Sequence, residues 1–233
     1  MTEQDTFNER LAAIARALFH EPDVEATLKR TVADAASMLD DAMYASVTLV
    51  LQRRQVETPV YTDDRALRAD QLQYDLGVGP CLDAVWEQDT FHIQDMTTEP
   101  RYGDWSRRVV AETGIRSSLS LQLFTDPEAV VSLGSLNLYS PRPRSFDPDT
   151  RAEAVAIAAH AAIALQSAQT EAHLRSGLVT RTVIGQAEGI LMERLKITAD
   201  QAFAVLSRLS QQSNVKLRHV ARNLVETGEL PRG

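Results

Sequence analysis

The run from Asp147 to Leu195 constrains the fold of this chain more than any other stretch of its sequence. Asp147 followed by Pro148 is typical of a helix start, because aspartate caps the first turn and proline fits the first helical position. The alanine-rich residues 152–164 then have very high helix propensity. Nothing clearly stops the helix before Leu195, so we predict one long helix here.

Apolar residues in this helix recur at steps of three and four, as in a coiled coil. The recurring positions are 155, 158, 162, 165, 169, 172, 176, 179, 183, 186 and 190, interrupted by Gln169, Ser176 and Gln186. A helix of ~45–50 residues is roughly 70 Å long at ~1.5 Å per residue, and its middle has few partners within the chain. We therefore predict a parallel homodimer through the 147–195 helix, with 169–180 as a coiled-coil linker. The alternative is that Gly177 ends one helix and a flexible joint precedes another.

The segment Arg181–Arg194 carries an unusual combination of residues inside this helix. Its apolar positions form one stripe that we expect to be buried, made of Val183, Ile184, Ala187, Ile190, Leu191 and Leu195. Gly185 and Gly189 each cost ~1 kcal/mol relative to alanine in a helix interior. We therefore expect a second helix or a ligand to approach the backbone closely at these two glycines.

Two short helices complete a predicted C-terminal three-helix unit. Thr198 with Gln201 three residues later forms a capping box that begins the first of them. The predicted inner face of that helix comprises Ala202, Phe203, Leu206 and Leu209. The predicted inner face of the last helix comprises Leu217, Val220, Ala221, Leu224 and Val225. Gly228 and then Pro231 are expected to end the last helix.

Residues 175–228 resemble the ANTAR family of RNA-binding antitermination domains. The resemblance rests on Arg181, on Ile184-Gly-Gln-Ala187, on Gly189-Ile-Leu-Met192 and on the pair Ala202-Phe203. It implies a domain that binds RNA hairpin loops, where unstacked bases are accessible. The expected output is transcription antitermination in leader transcripts.

Basic residues of this unit are the candidate RNA contacts. The predicted phosphate-binding residues are Arg181, Arg194, Lys216, Arg218 and Arg222. The residues expected to let RNA approach the backbone are Gly185, Gln186 and Gly189. Position 188 is often lysine in the ANTAR family but is Glu188 here, and a carboxylate repels phosphates.

Charge is divided unevenly along the chain, whose net charge is −8. Residues 175–233 hold nine Lys or Arg against five Asp or Glu, a balance of +4, which leaves −12 for the first 174 residues. This asymmetry predicts a basic tail for a polyanion and an acidic body that avoids one. A DNA-binding regulator is the first alternative, because a small basic helical unit also fits a major groove. A dimerising scaffold that binds no nucleic acid is another.

The N-terminal part of the sequence predicts an α+β domain. Helices are expected at 7–19 and 23–40, followed by a strand at Met43–Leu51 and a turn at Arg53-Arg54 into a partner strand at Val56–Tyr61. Later elements are a helix capped by Asp63 or Asp64, a short helix at Cys81–Trp86, a strand at Thr90–Gln94, a helix from Asp104 to Gly114 and a strand at Ser118–Phe124.

The last strand of this domain shows a change of phase. Val131 and Leu133 fall out of step with Leu136 and Leu138 across Gly134-Ser135, which predicts a β-bulge. The order of elements and the stretch Leu133-Gly-Ser-Leu-Asn-Leu-Tyr139 resemble a GAF domain over residues 7–168, although PAS-like sensor folds share such an order. The resemblance implies an antiparallel sheet flanked by helices and a role in sensing a small signal.

The resemblance also places several aromatic residues beside a ligand cavity. Trp86, Phe91, Tyr102 and Trp105, together with Cys81, are the predicted pocket residues, and plain core packing is the alternative. Cys81 follows Gly79-Pro80 at a helix start, where a thiolate is stabilised, so a redox sensor or enzyme is a further alternative. Enzymes similar to GAF domains, such as free-methionine-sulfoxide reductases, use more than one cysteine. A buried structural cysteine is therefore the preferred interpretation.

Several classes of protein do not fit the sequence. The five histidines are scattered singly without metal-ligand spacing, and Gly77-Val-Gly79 followed by proline lacks the third glycine of a dinucleotide loop. No apolar run approaches ~18 residues, and the N-terminus lacks the character of a signal peptide. We therefore expect a cytoplasmic, non-enzymatic regulator without a metal site, whose small-molecule ligand the sequence does not identify.

Overall fold

The computed structural model describes residues 3–38, 44–50, 55–87, 89–123 and 134–229. It divides into two compact units, Met1–Gln169 and Thr170–Gly233. The helices are α1 Glu3–Phe19, α2 Val24–Met38, α3 Asp64–Leu76, α4 Pro80–Trp86, α5 Gly103–Thr113, α6 Pro148–Leu195, α7 Ala199–Ser213 and α8 Leu217–Thr227. The strands are β1 Tyr44–Val50, β2 Val56–Tyr61, β3 Phe91–Ile93, β4 Ser117–Leu123 and β5 Gly134–Ser140.

The five strands form one antiparallel sheet in the order β2-β1-β5-β4-β3. Side chains alternate between its two faces, as the period-two pattern of β1 and β4 predicts. One face packs against α1, α2 and the first part of α6 through an apolar core that includes Val47, Leu119, Leu136, Leu138, Ile157 and Leu165. The other face bears a second core with Leu72, Ile93, Trp105, Val109 and Tyr139. The predicted α+β fold, an antiparallel sheet with flanking helices, is confirmed.

The predicted bulge at Gly134-Ser135 is absent from the described part of β5. The β4–β5 ladder pairs without a shift from Ser140 back to Gly134, and the register shift in the sheet lies between Val47 and Leu49 in the β1–β2 pair. Gly134 has φ of +143°, and a Cβ there would overlap the carbonyl oxygen of Thr48. Close packing against β1, rather than an inserted residue, therefore accounts for this glycine. Val131 and Leu133, and the predicted turn at Arg53-Arg54, lie outside the described residues.

Two of the predicted helix caps in the first unit are present. Asp63 caps α3 by accepting a hydrogen bond from the Arg65 amide. Asp147 accepts a 2.8 Å bond from the Thr150 amide, so α6 begins at Pro148 as its sequence indicates. These short polar side chains satisfy backbone donors that the first helical turn leaves free.

Helix α6 continues without interruption from Pro148 to Leu195, so Gly177 does not end it. Its coiled-coil positions 158, 162 and 165 are nevertheless buried in the core of the first unit. These three positions of the predicted coiled-coil pattern therefore pack inside the first unit and not against a partner helix. Residues 171–179 are all exposed, and their large apolar side chains are Leu174, Leu178 and Val179.

The second unit packs the end of α6 against α7 and α8 around a core of its own. Fully buried residues of this core are Ala187, Leu191, Ala202, Leu206, Val220, Ala221 and Leu224. Thr198 and Gln201 form both hydrogen bonds of the predicted capping box, and Gly228 ends α8 in the left-handed conformation. Phe203 differs from its predicted inward position, because its side chain is 46% exposed. Leu195 is exposed as well.

Candidate functional site

An open groove of about 730 Å³ crosses one side of the second unit. We call it the Phe203 groove, and its lining comprises Ser176, Gly177, Thr180, Arg181, Ile184, Gly185, Glu188, Phe203 and Arg218. The α6 residues among them recur at steps of three and four, which places them on one stripe of the helix. Phe203 comes from α7 and Arg218 from α8, so all three helices of the unit contribute to the groove.

A second cavity of about 440 Å³ adjoins the Phe203 groove, since both are lined by Ser176, Thr180 and Arg218. Its other lining residues are Arg175, Val179, His219 and Arg222. Arg175 is held by Glu171 through a 2.7 Å ion pair on the surface of α6. Within the described residues, the guanidinium groups of Arg181, Arg218 and Arg222 form no hydrogen bond or ion pair. These three cations are therefore free to bind an anion.

The remaining predicted RNA contacts lie elsewhere on the unit. Gln186, Gly189 and Arg194 line a separate cavity of about 570 Å³ with Ile190, Glu193 and Val225. One Arg194 Nη donates a 2.5 Å hydrogen bond to the carbonyl oxygen of Gly228, so this side chain closes the end of α8. Lys216 occupies the exposed N-cap position of α8. The structure thus brings together Arg181, Gly185, Arg218 and Arg222 but not the whole predicted set.

The two glycines of α6 face open space. A Cβ built at Gly185 or Gly189 meets no heavy atom within 4 Å. No second helix of this chain approaches them closely, among the residues that the structure describes. The expected close approach of a second helix is therefore not seen among the described residues, and approach by a ligand stays a prediction. Gly185 lies in the wall of the Phe203 groove, where the missing side chain leaves the backbone accessible.

Glu188 and Phe203 line the groove beside the predicted basic contacts. The Glu188 carboxylate has no hydrogen-bond or ion-pair partner within the described part of the chain, although Arg181 and Arg218 line the same groove. Phe203 presents a half-exposed aromatic ring to the groove. The sequence signal for Phe203 was its place in the quoted Ala202-Phe203 pair, which we had assigned to core packing.

None of the five predicted pocket residues lines the cavity of about 180 Å³ that lies in the described part of the first unit. Tyr102 and Trp105 belong to the packed core, where Tyr102 donates a 2.5 Å hydrogen bond to Asp83 and Trp105 donates one of 2.9 Å to the Ala69 carbonyl. Trp86 is 48% exposed at the end of α4, while Cys81 and Phe91 are buried. That cavity is lined instead by Asp89, Thr90, Leu121, Gln122, Val155, Ala158 and Ala159. The ligand-pocket assignment stays a prediction.

A buried polar cluster on the second face of the sheet was missed by the sequence reasoning. At its centre the Asp70 carboxylate accepts hydrogen bonds from Tyr139 at 2.5 Å, Ser46 at 2.7 Å, Thr58 at 2.9 Å and Asn137 at 3.3 Å. Burial raises the pKa of Asp70 to about 6, since these bonds offset the loss of water only in part. The signal was available as polar residues at alternate positions of β1 and β5.

Three polar atoms on fully buried residues of this face of β4 and β5 have no hydrogen-bond partner within the described residues. They are the hydroxyl oxygens of Ser118 and Ser120 and the side-chain carbonyl oxygen of Asn137, all fully buried. Ser120 pairs with Asn137 across β4 and β5, and Ser118 with Tyr139. Because buried polar groups are nearly always paired, these three atoms are unusual in a packed interior.

Cys81 lies at the start of α4 beside the polar cluster. Its amide donates a 2.8 Å hydrogen bond to Gln73, and its thiol is fully buried. Burial raises the pKa of the Cys81 thiol well above its ordinary value, with the nearby Asp70 carboxylate adding to the shift. A group of this kind stays protonated and shielded, which is the opposite of an activated nucleophile.

The architecture is two-part, with an α+β unit followed by a small helical unit. Family models match a GAF domain at residues 21–166 and an ANTAR domain at residues 172–225. The chain belongs to the GAF domain family, and it carries an ANTAR domain after the GAF domain, as in GAF-ANTAR regulators. ANTAR domains are RNA-binding antitermination modules and GAF domains are sensor modules.

Solved structures agree with this fold. The GAF domain of an Acinetobacter phosphoenolpyruvate-protein phosphotransferase is 13% identical, with a TM-score of 0.55 over 74% of this chain and 99% of that one. A GAF sensor protein described as putative, from Burkholderia vietnamiensis, is 17% identical, with a TM-score of 0.55 over 73% and 95%. The Stigmatella aurantiaca phytochrome photosensory core module is 11% identical, with a TM-score of 0.63 over 94% and 46%. At these identities the likeness shows the fold alone.

Among curated proteins, none matches this chain. Within the described ranges, no helix combines the length and the apolar character needed to cross a bilayer.

Proposed function

We propose that this protein is a signal-responsive regulator that binds hairpin loops in leader transcripts and thereby favours antitermination. The observation that carries the proposal is the Phe203 groove, where unpaired guanidinium groups of Arg181 and Arg218 flank an exposed aromatic ring. Cations bind the phosphates of a single strand, and an aromatic face stacks on an unpaired base. The acidic first unit repels the same phosphates, so binding is confined to the second unit. The proposed site of action is the cytoplasm, where transcripts are made.

RNA binding is tested by gel retardation with the full chain at stated salt. The probes are a leader RNA with two hairpins and duplex DNA of the same sequence. We expect preference for RNA, with affinity that falls as salt rises because bound counterions are released. Preference for the duplex would instead support a DNA-binding regulator, and no salt-dependent binding of either probe would support a scaffold.

Charge reversal locates the binding surface. Arg181→Glu and Arg218→Glu should each weaken RNA binding at least tenfold, because each converts a phosphate contact into a repulsion. Arg208→Glu is the matched control, since Arg208 is an exposed arginine on α7 that does not line the Phe203 groove. Equal losses for all three variants would mean that only net charge matters and that the groove is not the site.

Homodimerisation through the 147–195 helix is the second part of the proposal. Leu174 and Leu178 are 65% and 67% exposed, and apolar residues in a row along a long helix are typical of a coiled-coil seam. They are four residues apart and therefore share one face of α6. A parallel partner helix would cover both leucines, in a register that differs from the predicted positions 169, 172 and 176.

A small signal bound by the GAF domain would complete the regulator. The unpaired polar atoms of Ser118, Ser120 and Asn137 support a polar guest beneath α4, and α6 would transmit its effect by favouring one of two arrangements. Screening metabolites for a rise in the unfolding temperature of the first unit tests this step. The rise should disappear in Ser120→Ala, and a guest that stabilises both proteins equally would argue against this location.

A further inference from the structure

Glu188 is out of place in a surface that binds phosphates. It stands one turn after Ile184 and Gly185 on the stripe of α6 that forms the Phe203 groove. The side chain is half-buried, and within the described residues no cation pairs with it, even though Arg181 and Arg218 line the same groove. A carboxylate here lowers the affinity for any RNA backbone. Glu188 therefore either has a role other than phosphate binding or simply weakens the site.

The chemistry of a carboxylate limits what it can recognise in RNA. An ionised glutamate only accepts hydrogen bonds, through two oxygens placed side by side. Among the bases, guanine alone presents two adjacent donors, the ring N1–H and the exocyclic amino group, on its Watson–Crick edge. Cytosine and adenine offer one amino donor beside a ring nitrogen that repels a carboxylate, and uracil has its single N–H between two carbonyl oxygens.

The groove supplies the rest of a base-binding site. The exposed Phe203 ring offers a platform on which an unstacked base can lie. The open space at Gly185 leaves room beside the α6 backbone. Arg181 and Arg218 are free to hold the phosphates on either side of the base. In a hairpin loop the Watson–Crick edge is unpaired and available to Glu188.

We propose that Glu188 is the specificity-determining residue of the RNA site and accepts two hydrogen bonds from an unpaired loop guanine stacked on Phe203. This inference rests on the proposed RNA-binding function and assigns the base that the groove selects. The Glu188 carboxylate lowers the affinity for phosphates in general, and it lets the site discriminate among loops of different sequence. The departure from lysine at position 188 is then a change of specificity.

The test begins with RNA hairpins of one fixed stem and a randomised loop, selected by the full chain. We expect the selected loops to share a guanine. Replacing that guanine by inosine, which lacks the exocyclic amino group, should weaken binding about tenfold, as for other bidentate base contacts. Glu188→Gln keeps the size of the side chain and should reduce this ratio to less than threefold.

Two variants separate base reading from a general change in charge. Glu188→Lys should bind all hairpins more tightly while losing the discrimination against inosine, and the gain in affinity shows that the variant is folded. Glu193→Gln is the matched control, because Glu193 pairs with Lys196 at 2.8 Å and lines the other cavity. It should keep the wild-type ratio.

The outcomes are distinguishable. Tight binding without a shared guanine, or an unchanged inosine ratio in Glu188→Gln, would overturn the role of Glu188 and leave RNA binding intact. Failure of the wild-type chain to bind any hairpin at low salt would overturn the RNA-binding function together with this inference.

Discussion

The hydroxyl of Tyr139 on β5 donates a 2.5 Å hydrogen bond to Oδ1 of Asp70 on α3, and both side chains are fully buried. The bond ties the centre of the sheet to the helix that covers it. Among the described residues, the groups that donate hydrogen bonds to the carboxylate are the hydroxyls of Ser46, Thr58 and Tyr139 and the amide of Asn137, none of which is basic. The buried charge is therefore stabilised by dipoles alone, which leaves it sensitive to protonation.

Stability of the first unit should depend on pH through Asp70. Its pKa is about 6 in the folded chain against an ordinary 3.8, so the folded state holds a proton that the unfolded state has lost. Protonation of Asp70 stabilises the folded unit fully below about pH 4, and this stabilisation is lost as pH rises to about 6. The free energy of unfolding should fall by about 3 kcal/mol over this range, at 1.36 kcal/mol per pKa unit. Urea unfolding followed by tryptophan fluorescence measures it, since Trp86 and Trp105 both lie in this unit.

Two variants check the assignment to Asp70. In Asp70→Asn, the free energy of unfolding should no longer fall between pH 4 and 6. Asp95→Asn should keep this fall, because the Arg116 guanidinium holds the pKa of Asp95 at about 2 and its contribution is lost only as pH falls below about 4. The same slope in Asp70→Asn as in the wild type would show that another group titrates.

Cys81 should be unreactive in the folded protein. Its thiol is buried and its pKa is raised, so a thiolate-directed reagent such as a disulfide dye should label the native chain negligibly at pH 8 and label it fully in urea. The signal is unambiguous because the chain has a single cysteine. Rapid labelling without denaturant would revive the redox alternative, as would loss of RNA binding on mild oxidation of the wild type but not of Cys81→Ala.

Gly185→Ala should stabilise the second unit and weaken RNA binding at the same time. Alanine gains about 1 kcal/mol over glycine in a helix interior, and no neighbour lies within 4 Å of the new methyl group. The methyl group intrudes into the Phe203 groove, so we expect affinity to fall several-fold. Thermal unfolding and gel retardation measure the two effects. Gly189→Ala should give the same gain in stability, and it shows whether RNA also uses the separate cavity that Gly189 lines: unchanged binding confines the site to the Phe203 groove, and a loss extends the site to Gly189.

Leu174→Glu should convert a homodimer into a monomer in sedimentation equilibrium, because it places a charge in the proposed interhelical seam. Ala172→Glu is the control. Ala172 is also exposed but lies on the other side of α6, and it is one of the coiled-coil positions predicted from the sequence. Dissociation by Ala172→Glu instead would restore that original register. A wild type that is monomeric at all concentrations would remove the dimer from the proposal.

Sequence patterns predicted the elements and their caps well because those depend on local chemistry. Asp63, Asp147 and Thr198 satisfy helix starts within three residues along the chain, and the alternation along β4 needs only its own residues. The polar cluster was missed because Asp70 and Asn137, 67 residues apart, meet only in the folded sheet. Phe203 was wrongly predicted to be buried, because an apolar helix face does not show which of its residues lies at the exposed edge of the core.

Gly134 has a consequence for anyone who compares this chain with its homologues. A side chain at that position would collide with the backbone of β1, so selection should retain glycine there whatever signal the domain detects. An invariant glycine at position 134 in an alignment would reflect the close approach of the neighbouring strand. Position 188, which lines the Phe203 groove, would be the more informative position for comparing the targets of these regulators.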